Sequence, residues 1–395
     1  MGLTSSELKK IKTVGINFSI LLLCIIGVVW FIQYSRLKKQ NLELRFDESG
    51  HLIAKNDKIT PLDLEANELV AWRYYETDQP AKAIPHLKRC LAFKPNNRSL
   101  RFRLATANLD AGNYEQALAG LTRMESDNID DSLTPVICAQ KGIALFYLGN
   151  IEESRTELES CLARFPNSAE AACYLGQIIA SNPKGSTSAL EYLDQAIKID
   201  SQYVEGWYQL ARFTMQQNLY LKARQQLLRA LEIDPLHVKS HSRLGMVYYY
   251  LHDYEQAKKS YLTALALNPR DFNTRYNLGE LYYSALGDTE NGLHEFKIVL
   301  KQNPGHVEAN FKVGLICLHN NMLKEAIRYF EAARVNGPEN VRVLMQLAVA
   351  YEKLGDKAAA LQAYKAIVVI DALNSIALQK IRYLAGDIDN HDQNQ

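Results

Sequence analysis

The stretch Val204–Pro235 reads VEGWYQLARFTMQQNLYLKARQQLLRALEIDP, and its pattern of small and large residues indicates a pair of packed helices. Numbered from Val204, alanine stands at positions 8, 20 and 27, while large apolar residues stand at positions 4, 7 and 24. Small residues let two helices approach closely, and large residues fill the space around them. Pro235, at position 32, cannot continue a helix and closes the unit.

The same spacing recurs in the next stretch and beyond it. Gly245, Tyr261 and Pro269 occupy positions 8, 24 and 32 of a second unit that begins at residue 238. The prolines at 235, 269, 304 and 338 lie 34, 35 and 34 residues apart. A constant period of this length is typical of a solenoid built from helix–turn–helix repeats. We place nine repeats in this register, which lie at 64–97, 98–134, 135–168, 169–203, 204–237, 238–271, 272–306, 307–340 and 341–374.

The pattern resembles the tetratricopeptide repeat (TPR) family, W-x₂-L-G-x₂-Y…A-x₃-F…A…P. The resemblance covers the nine repeats at 64–374. It implies an all-α fold, a right-handed superhelical solenoid of about nine repeats. It also implies that the first helix of each repeat, helix A, lines the concave groove with positions 2, 5, 6, 9, 12 and 13. The second helix of each repeat is helix B.

Two irregular segments are expected at the edge of the solenoid, and two further segments follow the last repeat. Repeats four and seven each carry one extra residue near the turn between helices A and B, in SNPKGS and ALGDTEN, which predicts longer loops there. Residues 375–386 are predicted to form a capping helix. The polar residues 387–395 are predicted to be a disordered tail.

A membrane anchor is predicted near the N-terminus, after a short tail at 1–13. Val14–Ile32 contains no charged residue, and as a helix it would span about 29 Å, close to a hydrocarbon core of roughly 30 Å. A cleaved signal peptide would need small residues after the apolar run, and they are missing. A lipoprotein would need a small residue before Cys24, where Leu23 stands. We therefore predict a retained transmembrane signal anchor at 14–34.

The segment 35–63 is predicted to link the anchor to the repeats as a stalk. Within it, Leu44–Ala54 reads as two short strands around a Ser49-Gly50 turn, which predicts a small β-hairpin.

Charge says little about orientation but excludes one class of partner. Basic residues are nearly equal in number on the two sides of the anchor, so the positive-inside rule is close to balanced, and we lean only slightly toward cytoplasmic repeats. The whole chain has a formal net charge of +1. Because no basic field is present, we expect no nucleic-acid partner.

The sequence offers no catalytic or metal-binding motif. Its six cysteines form no CxxC pair and are expected to be unpaired core thiols, although a bond between Cys138 and Cys161 stays open. His237 and His241 are expected to be surface residues, and His252-Asp253 a turn. We predict that the protein is not an enzyme and uses no cofactor, metal or small-molecule substrate.

The concave positions of repeats five to eight are rich in tyrosine and arginine, which are enriched at binding hot spots. Packing between repeats is the competing explanation for any one of them. The predicted partner-binding groove residues are Tyr208, Arg212, Arg243, Tyr249, Tyr250, Tyr276, Asn277, Tyr283 and Phe311.

The three tyrosines in a row at 248–250 cannot face one core, because neighbouring helical residues point about 100° apart. The register assigns Tyr248 to packing against helix B and Tyr254 to the A–B turn. It assigns Tyr249 and Tyr250 to the groove, beside Tyr276 and Tyr283.

Two functional hypotheses follow from this organisation. The first is a single-pass, membrane-anchored TPR scaffold that binds proteins or peptide segments and assembles or regulates a complex at a bacterial inner membrane. It resembles in architecture the membrane-anchored TPR proteins of the LapB family, without their C-terminal four-cysteine metal-binding module. The alternative is a periplasm-facing assembly factor for secretion, pilus or exopolysaccharide machinery.

Overall fold

The computed structural model describes Arg45–Phe46, Leu52–Ile53 and residues 61–76, 79–127, 132–181 and 186–392, without the side chains of 45–46, 52–53, 61–63, 75–76, 186 and 387–392. The predicted anchor at 14–34 lies outside these residues. Arg45–Phe46 (β1) pairs antiparallel with Leu52–Ile53 (β2), with Phe46 opposite Leu52. This pairing lies in the segment for which a hairpin is predicted.

The described residues from Pro61 onward form nine helical pairs followed by one further helix. Each odd-numbered helix up to α17 is an A helix, and each even-numbered helix is the B helix of the same repeat. The bounds are α1 Pro61–Glu76, α2 Pro80–Phe93, α3 Arg98–Asp110, α4 Tyr114–Ser126, α5 Thr134–Tyr147, α6 Ile151–Arg164, α7 Ala169–Ala180, α8 Ser186–Ile199, α9 Val204–Gln216, α10 Tyr220–Ile233, α11 Val238–Tyr250, α12 Tyr254–Leu267, α13 Phe272–Glu280, α14 Thr289–Gln302, α15 Val307–His319, α16 Leu323–Asn336, α17 Val341–Leu354, α18 Lys357–Ile370 and α19 Ser375–Asp392.

The chain divides into two compact units, Met1–Asn128 and Ile129–Gln395. In the first unit, α1 to α3 enclose a core that includes Leu64, Leu87 and Leu100. In the second unit, α5 to α19 stack as successive pairs with a series of local cores. Such a series is expected of a repeat protein, in which each repeat contacts mainly its neighbours.

The contact between positions 8 and 24 explains why the first is a small residue and the second a large one. A Cβ atom built on Gly245, at position 8 of its repeat, would lie 2.5 Å from the ring of Tyr261, at position 24. In the same way, Gly314 faces Phe330 at 2.6 Å and Gly142 faces Leu158 at 2.6 Å. These glycines therefore let the A helix rest directly on the large B-helix side chain.

Position 15 explains how each A helix ends. Asn218, His252 and Asn321 all have φ of 59°, and glycines with positive φ end the A helix in the other A–B turns described in full. Asp253 then caps α12, because its carboxylate accepts a hydrogen bond from the Gln256 backbone N–H at 3.3 Å. His252-Asp253 is thus a turn.

Two predicted irregular segments have a different structure. The extra residue of repeat seven does not lengthen the loop; it is absorbed in the A helix as a π-helical turn at Leu281–Ala285, which continues α13. Helix α19 runs to Asp392 instead of ending near residue 386. Gly386 does not have positive φ and no proline follows it, so nothing stops the helix there. The insertion predicted in repeat four lies outside the described residues.

The cysteines of the described residues, Cys90, Cys138, Cys161, Cys173 and Cys317, are buried and form no disulfide bond, which confirms the prediction for these five. Contact with the Cys138 thiol, together with burial, raises the pKa of Cys161. Within the described part of the chain, no helix has the length and apolar character needed to span a membrane.

Candidate partner-binding surface

The A helices of the second unit present a row of side chains that continues from one repeat to the next. We call it the A-helix face, and define it as Gln177, Gln209, Arg212, Arg243, Asn277, Glu280, Tyr283 and Lys312. Polar pairs join neighbouring A helices along it: the Ser242 and Thr274 hydroxyls lie 2.6 Å apart, and Lys312 Nζ lies 2.8 Å from Glu280 Oε2. The A helices of repeats six, seven and eight are therefore in direct contact with one another.

Position 5 of helix A is mostly interior, which corrects two predicted groove residues. Tyr208 is 7% exposed and packs on the core formed by α9, α10 and α11. Phe311 is 9% exposed and packs with Phe330, their ring centroids 5.9 Å apart. Because both rings fill space between helices, neither offers a surface to a partner.

Tyr276, also at position 5, is mainly a packing residue. Its ring stacks on His306 at 5.2 Å and lies 5.5 Å from the ring of Phe296. Burial raises the pKa of the Tyr276 hydroxyl, and the nearby Glu280 carboxylate raises it further.

The tyrosine run does not form the predicted cluster with Tyr276 and Tyr283. Tyr248 packs on the cores of both adjacent repeats, as its register predicts. Tyr249 is half-buried, and its ring contacts are with Tyr250 and Tyr254. Tyr250 stacks on Tyr220 of the preceding repeat, with ring centroids 4.8 Å apart. The ring contacts of Tyr250 therefore lie at the edge of the solenoid that the A–B turns form.

The other predicted residues remain accessible on the A-helix face. Lys312 lies 5.3 Å above the ring of Tyr283, a cation–π geometry. Arg243 and Asn277 are partly exposed, and an Arg243 N–H contacts the Met246 sulfur at 3.4 Å.

A polar relay holds Arg212 in place. Arg212 donates a hydrogen bond to the Gln209 side-chain oxygen at 2.6 Å, and the Gln209 amide nitrogen donates to Glu205 Oε1 at 2.6 Å. The relay orients the Arg212 guanidinium while leaving most of its N–H groups available.

A cavity of about 200 Å³ opens beside this relay, between α5, α7, α8 and α9. Its lining residues are Phe146, Gln177, Ala180, Ser181, Leu193, Gln209, Arg212, Phe213 and Gln216. Gln177 Oε1 is inaccessible to solvent and has no hydrogen-bond partner. Glu280 Oε1 on the same face is likewise buried without a hydrogen-bond partner, and unpaired buried acceptors of this kind are costly. Position 9 places Gln177 on the groove side of helix A, but nothing in the sequence indicates the cavity.

A larger cavity of about 900 Å³ lies where α7 begins and α8 ends. It is open, and charged residues such as Glu170, Glu191 and Lys198 line it.

The histidines beside the relay have ordinary structural partners. His237 Nδ1 lies 2.7 Å from the Ser240 hydroxyl, and His241 Nε2 lies 2.9 Å from the Pro235 carbonyl oxygen. Among the side chains that the structure describes, no three His, Cys, Asp or Glu residues group as metal ligands would.

Solved structures share the helical fold. The chain aligns with a chain of the APC/C hetero-tetramer Cut9-Hcn1 at 17% identity and a TM-score of 0.59, over 74% of this chain and 57% of that one. YrrB, described as a TPR protein with an unusual peptide-binding site, aligns at 22% identity and a TM-score of 0.40, over 48% of this chain and 97% of that one. A TPR protein from Parabacteroides merdae ATCC 43184 aligns at 14% identity and a TM-score of 0.44, over 73% of this chain and 98% of that one. The alignment with the Cut9-Hcn1 chain supports a common fold and nothing further.

Sequence profiles agree with the helical pairs. Profiles described as tetratricopeptide repeat or TPR repeat match residues 74–133, 140–204, 204–235, 245–285, 282–340 and 321–375. Comparison with curated proteins gave no match. The matched residues cover most of the helical pairs, and the small and large residues at positions 8 and 24 pack as the repeat requires. The chain belongs to the tetratricopeptide repeat family.

Proposed function

We propose that this protein is a membrane-anchored scaffold, which binds protein partners on its A-helix face and assembles or regulates a complex at the membrane. TPR proteins are generally non-catalytic scaffolds that bind peptides or proteins. The observation that carries the proposal is the continuous A-helix face with its unused hydrogen-bonding capacity. Arg212 on this face has N–H donors beyond the one that bonds Gln209, and Arg243 and Asn277 are partly exposed.

The apolar segment Val14–Ile32 supports the membrane part of the proposal. An anchor of this length would hold the repeats near the bilayer and raise their effective concentration toward membrane-bound partners. We place the protein in a bacterial inner membrane with its repeats on the cytoplasmic side. The architecture, which resembles that of the LapB family, is consistent with a bacterial inner membrane.

The membrane part is tested by alkaline carbonate extraction of membranes that contain the full-length chain. We expect the chain to stay in the membrane pellet, and a variant that lacks residues 1–44 to move to the supernatant. Release of the full-length chain by carbonate would contradict the anchor. A C-terminal alkaline phosphatase fusion then tests orientation, because activity of the phosphatase would indicate periplasmic repeats and favour the assembly factor.

The partner-binding part is tested by affinity purification from detergent-solubilised membranes, with quantitative mass spectrometry. The variant Arg243→Ala with Asn277→Ala changes two accessible residues of the A-helix face. The matched control, Glu255→Ala with Lys259→Ala, changes two exposed residues of α12. We expect the first variant to lose partners that the wild type and the control retain. Identical partner sets for all three proteins would contradict binding on this face.

Tyr249 and Tyr276 are unsuitable for this test. Both side chains pack against the hydrophobic cores of the second unit. Their truncation would reduce stability as well as any binding, because buried aromatic side chains contribute several kcal/mol.

A further inference from the structure

The charges on the A-helix face point to an acidic partner: we propose that repeats three to six bind an extended acidic segment of a partner protein. One carboxylate side chain of that segment enters the cavity beside Arg212, and a second pairs with Arg243. This inference rests on the proposed function, because it assigns the partner chemistry of one part of the A-helix face. The two arginines belong to α9 and α11, successive A helices that share a hydrophobic core.

Arg212 carries a positive charge that no carboxylate neutralises directly. The side chain is partly buried, and one N–H bonds the Gln209 side-chain oxygen at 2.6 Å. Glu205, at the far end of the relay, lies 3.9 Å from His237 and 4.0 Å from Lys239. Among the side chains that the structure describes, none forms an ion pair with Arg212. Because a partly buried charge without a counter-charge is unfavourable, this position favours an anion.

The cavity gives that anion a place to enter. The residues that the structure places around it include no acidic side chain, and Arg212 is the charged residue among them. The relay holds the guanidinium in place and leaves further N–H groups to donate. Gln216, exposed at the rim, has an amide that can donate to the same carboxylate.

The remaining walls and the volume suit an acidic side chain. Leu193 and Phe213 are almost fully buried in one hydrophobic core, and Phe146 also lines the cavity. Apolar walls of this kind contact the methylene groups of an entering side chain. The volume of about 200 Å³ equals that of roughly six or seven liquid waters at about 30 Å³ each. A glutamate side chain, with about five non-hydrogen atoms, is smaller than this volume.

Arg243 offers a second charge without a counter-charge. One N–H contacts the Met246 sulfur at 3.4 Å, and no carboxylate among the described side chains forms an ion pair with this arginine. Further along the face, the Glu280 carboxylate is held by Lys312 at 2.8 Å. Among the charged members of the A-helix face, Arg212 and Arg243 are therefore the two that an acidic segment would neutralise.

The separation of neighbouring helices sets the spacing of the acidic residues. Packed helices lie about 8–10 Å apart, and an extended chain advances about 3.3–3.6 Å per residue. Carboxylates about three residues apart in an extended segment therefore match arginines on adjacent A helices. We expect the preferred segment to read Glu-x-x-Glu.

Charge distinguishes a carboxylate from the other polar groups of proteins. A carboxamide accepts hydrogen bonds from Arg212 but leaves its positive charge in place. An ammonium or guanidinium group meets a like charge at both arginines. A phosphate group shares the anionic oxygens of a carboxylate and also pairs with guanidinium groups, so the experiment includes it as a separate ligand.

The test measures binding of fluorescent nine-residue peptides to the full-length chain in mild detergent. Both peptide ends are blocked, so that charge comes from side chains alone. Two positions three residues apart carry Glu, Gln, Lys or phosphoserine, and the flanking positions are randomised among uncharged residues. We expect Glu peptides to bind at least about 10-fold more tightly than Gln peptides, because hydrogen bonds to charged groups are the stronger ones. Lys peptides should bind most weakly.

The variants Arg212→Met and Arg243→Met should each reduce the preference for Glu over Gln, and the double variant should abolish it. The control Arg224→Met removes a partly exposed arginine from α10, the B helix of the repeat that contains Arg212, and should keep the preference. A thermal melt of each variant shows whether it folds, and either single variant gives an independent result if the other is unstable.

Equal binding of Glu and Gln peptides would overturn the inference while leaving peptide binding by the A-helix face intact. A preference for Glu that survives in the double variant would do the same. Tighter binding of phosphoserine peptides than of Glu peptides would overturn the assignment to a carboxylate. If the wild type binds no peptide of any class, the inference and peptide binding by the A-helix face both fail.

Discussion

The ring of Tyr250 stacks on the ring of Tyr220, with centroids 4.8 Å apart and planes 14° from parallel. Tyr220 is the first residue of α10 and Tyr250 is the last residue of α11. The contact therefore joins the B helix of repeat five to the A helix of repeat six. It explains how a tyrosine that is 48% exposed can have a structural role.

A double-mutant cycle measures this contact. We expect Tyr220→Ala and Tyr250→Ala to be coupled by about 0.5–1.5 kcal/mol, the usual value for an aromatic pair beyond its buried area. The free energies of unfolding of the wild type, the two single variants and the double variant give the coupling. Strictly additive effects would mean that the stacking contributes nothing.

Gly245→Ala should reduce stability, because its new methyl group would meet the ring of Tyr261 at 2.5 Å. Overpacking of this kind costs typically about 1–3 kcal/mol. Chemical denaturation gives the change in the free energy of unfolding. Gly386→Ala is the matched control: no atom lies within 4 Å of its added Cβ, and alanine is the better helix former by up to about 1 kcal/mol. Equal effects of the two substitutions would contradict close contact at position 8.

His252→Gly should stabilise the protein by up to about 1 kcal/mol. A left-handed conformation costs a non-glycine residue roughly 1–2 kcal/mol, which exceeds the extra chain entropy that glycine loses on folding. The substitution also removes the exposed contact between His252 Nδ1 and the Tyr254 hydroxyl, so the gain is a net value. His252→Val should destabilise the same turn. A higher melting temperature for the valine variant than for the glycine variant would refute a left-handed conformation at residue 252.

The stability of the protein should depend on pH through His306. Its Nδ1 accepts a hydrogen bond from the Ala309 backbone N–H at 3.2 Å and so caps α15. Desolvation lowers the pKa of His306, which outweighs the opposite effect of the nearby Glu308 carboxylate. The unfolded chain therefore takes up the proton more readily, and stability is lost as pH falls below about 6.5.

His306→Asn tests this explanation, because asparagine can cap the helix but does not titrate. Between pH 7.5 and pH 5.5, the wild type should lose about 1 kcal/mol more stability than the variant, the typical value of a helix cap. His237, whose pKa burial also lowers, is present in both proteins and cancels in the difference. Parallel pH profiles for the two proteins would show that His306 is not responsible.

The repeat register could be predicted from the sequence because it depends on local packing. Gly245 and Tyr261 lie in one helical pair, and their spacing is set by two helices and one turn. The positive φ of His252 follows from the same register, since Gly149 and Gly355 occupy the same position in their repeats.

The details of the binding surface could not be predicted, because they depend on neighbouring repeats. Whether Tyr208 is exposed is decided by the helices that pack beside it. The cavity at Gln177 requires side chains from four helices. The extra residue of repeat seven forms the π-helical turn Leu281–Ala285, and a sequence with one added residue looks the same whether a loop or a helix absorbs it.

Site-specific photo-cross-linking in intact cells tests the central claim most directly. A photoreactive residue replaces Arg243 on the A-helix face or, in a matched protein, Lys259 on α12. We predict that position 243 forms covalent adducts with partner proteins in the membrane fraction, and that position 259 forms few or none. Adducts at position 259 without adducts at position 243 would contradict partner binding on the A-helix face.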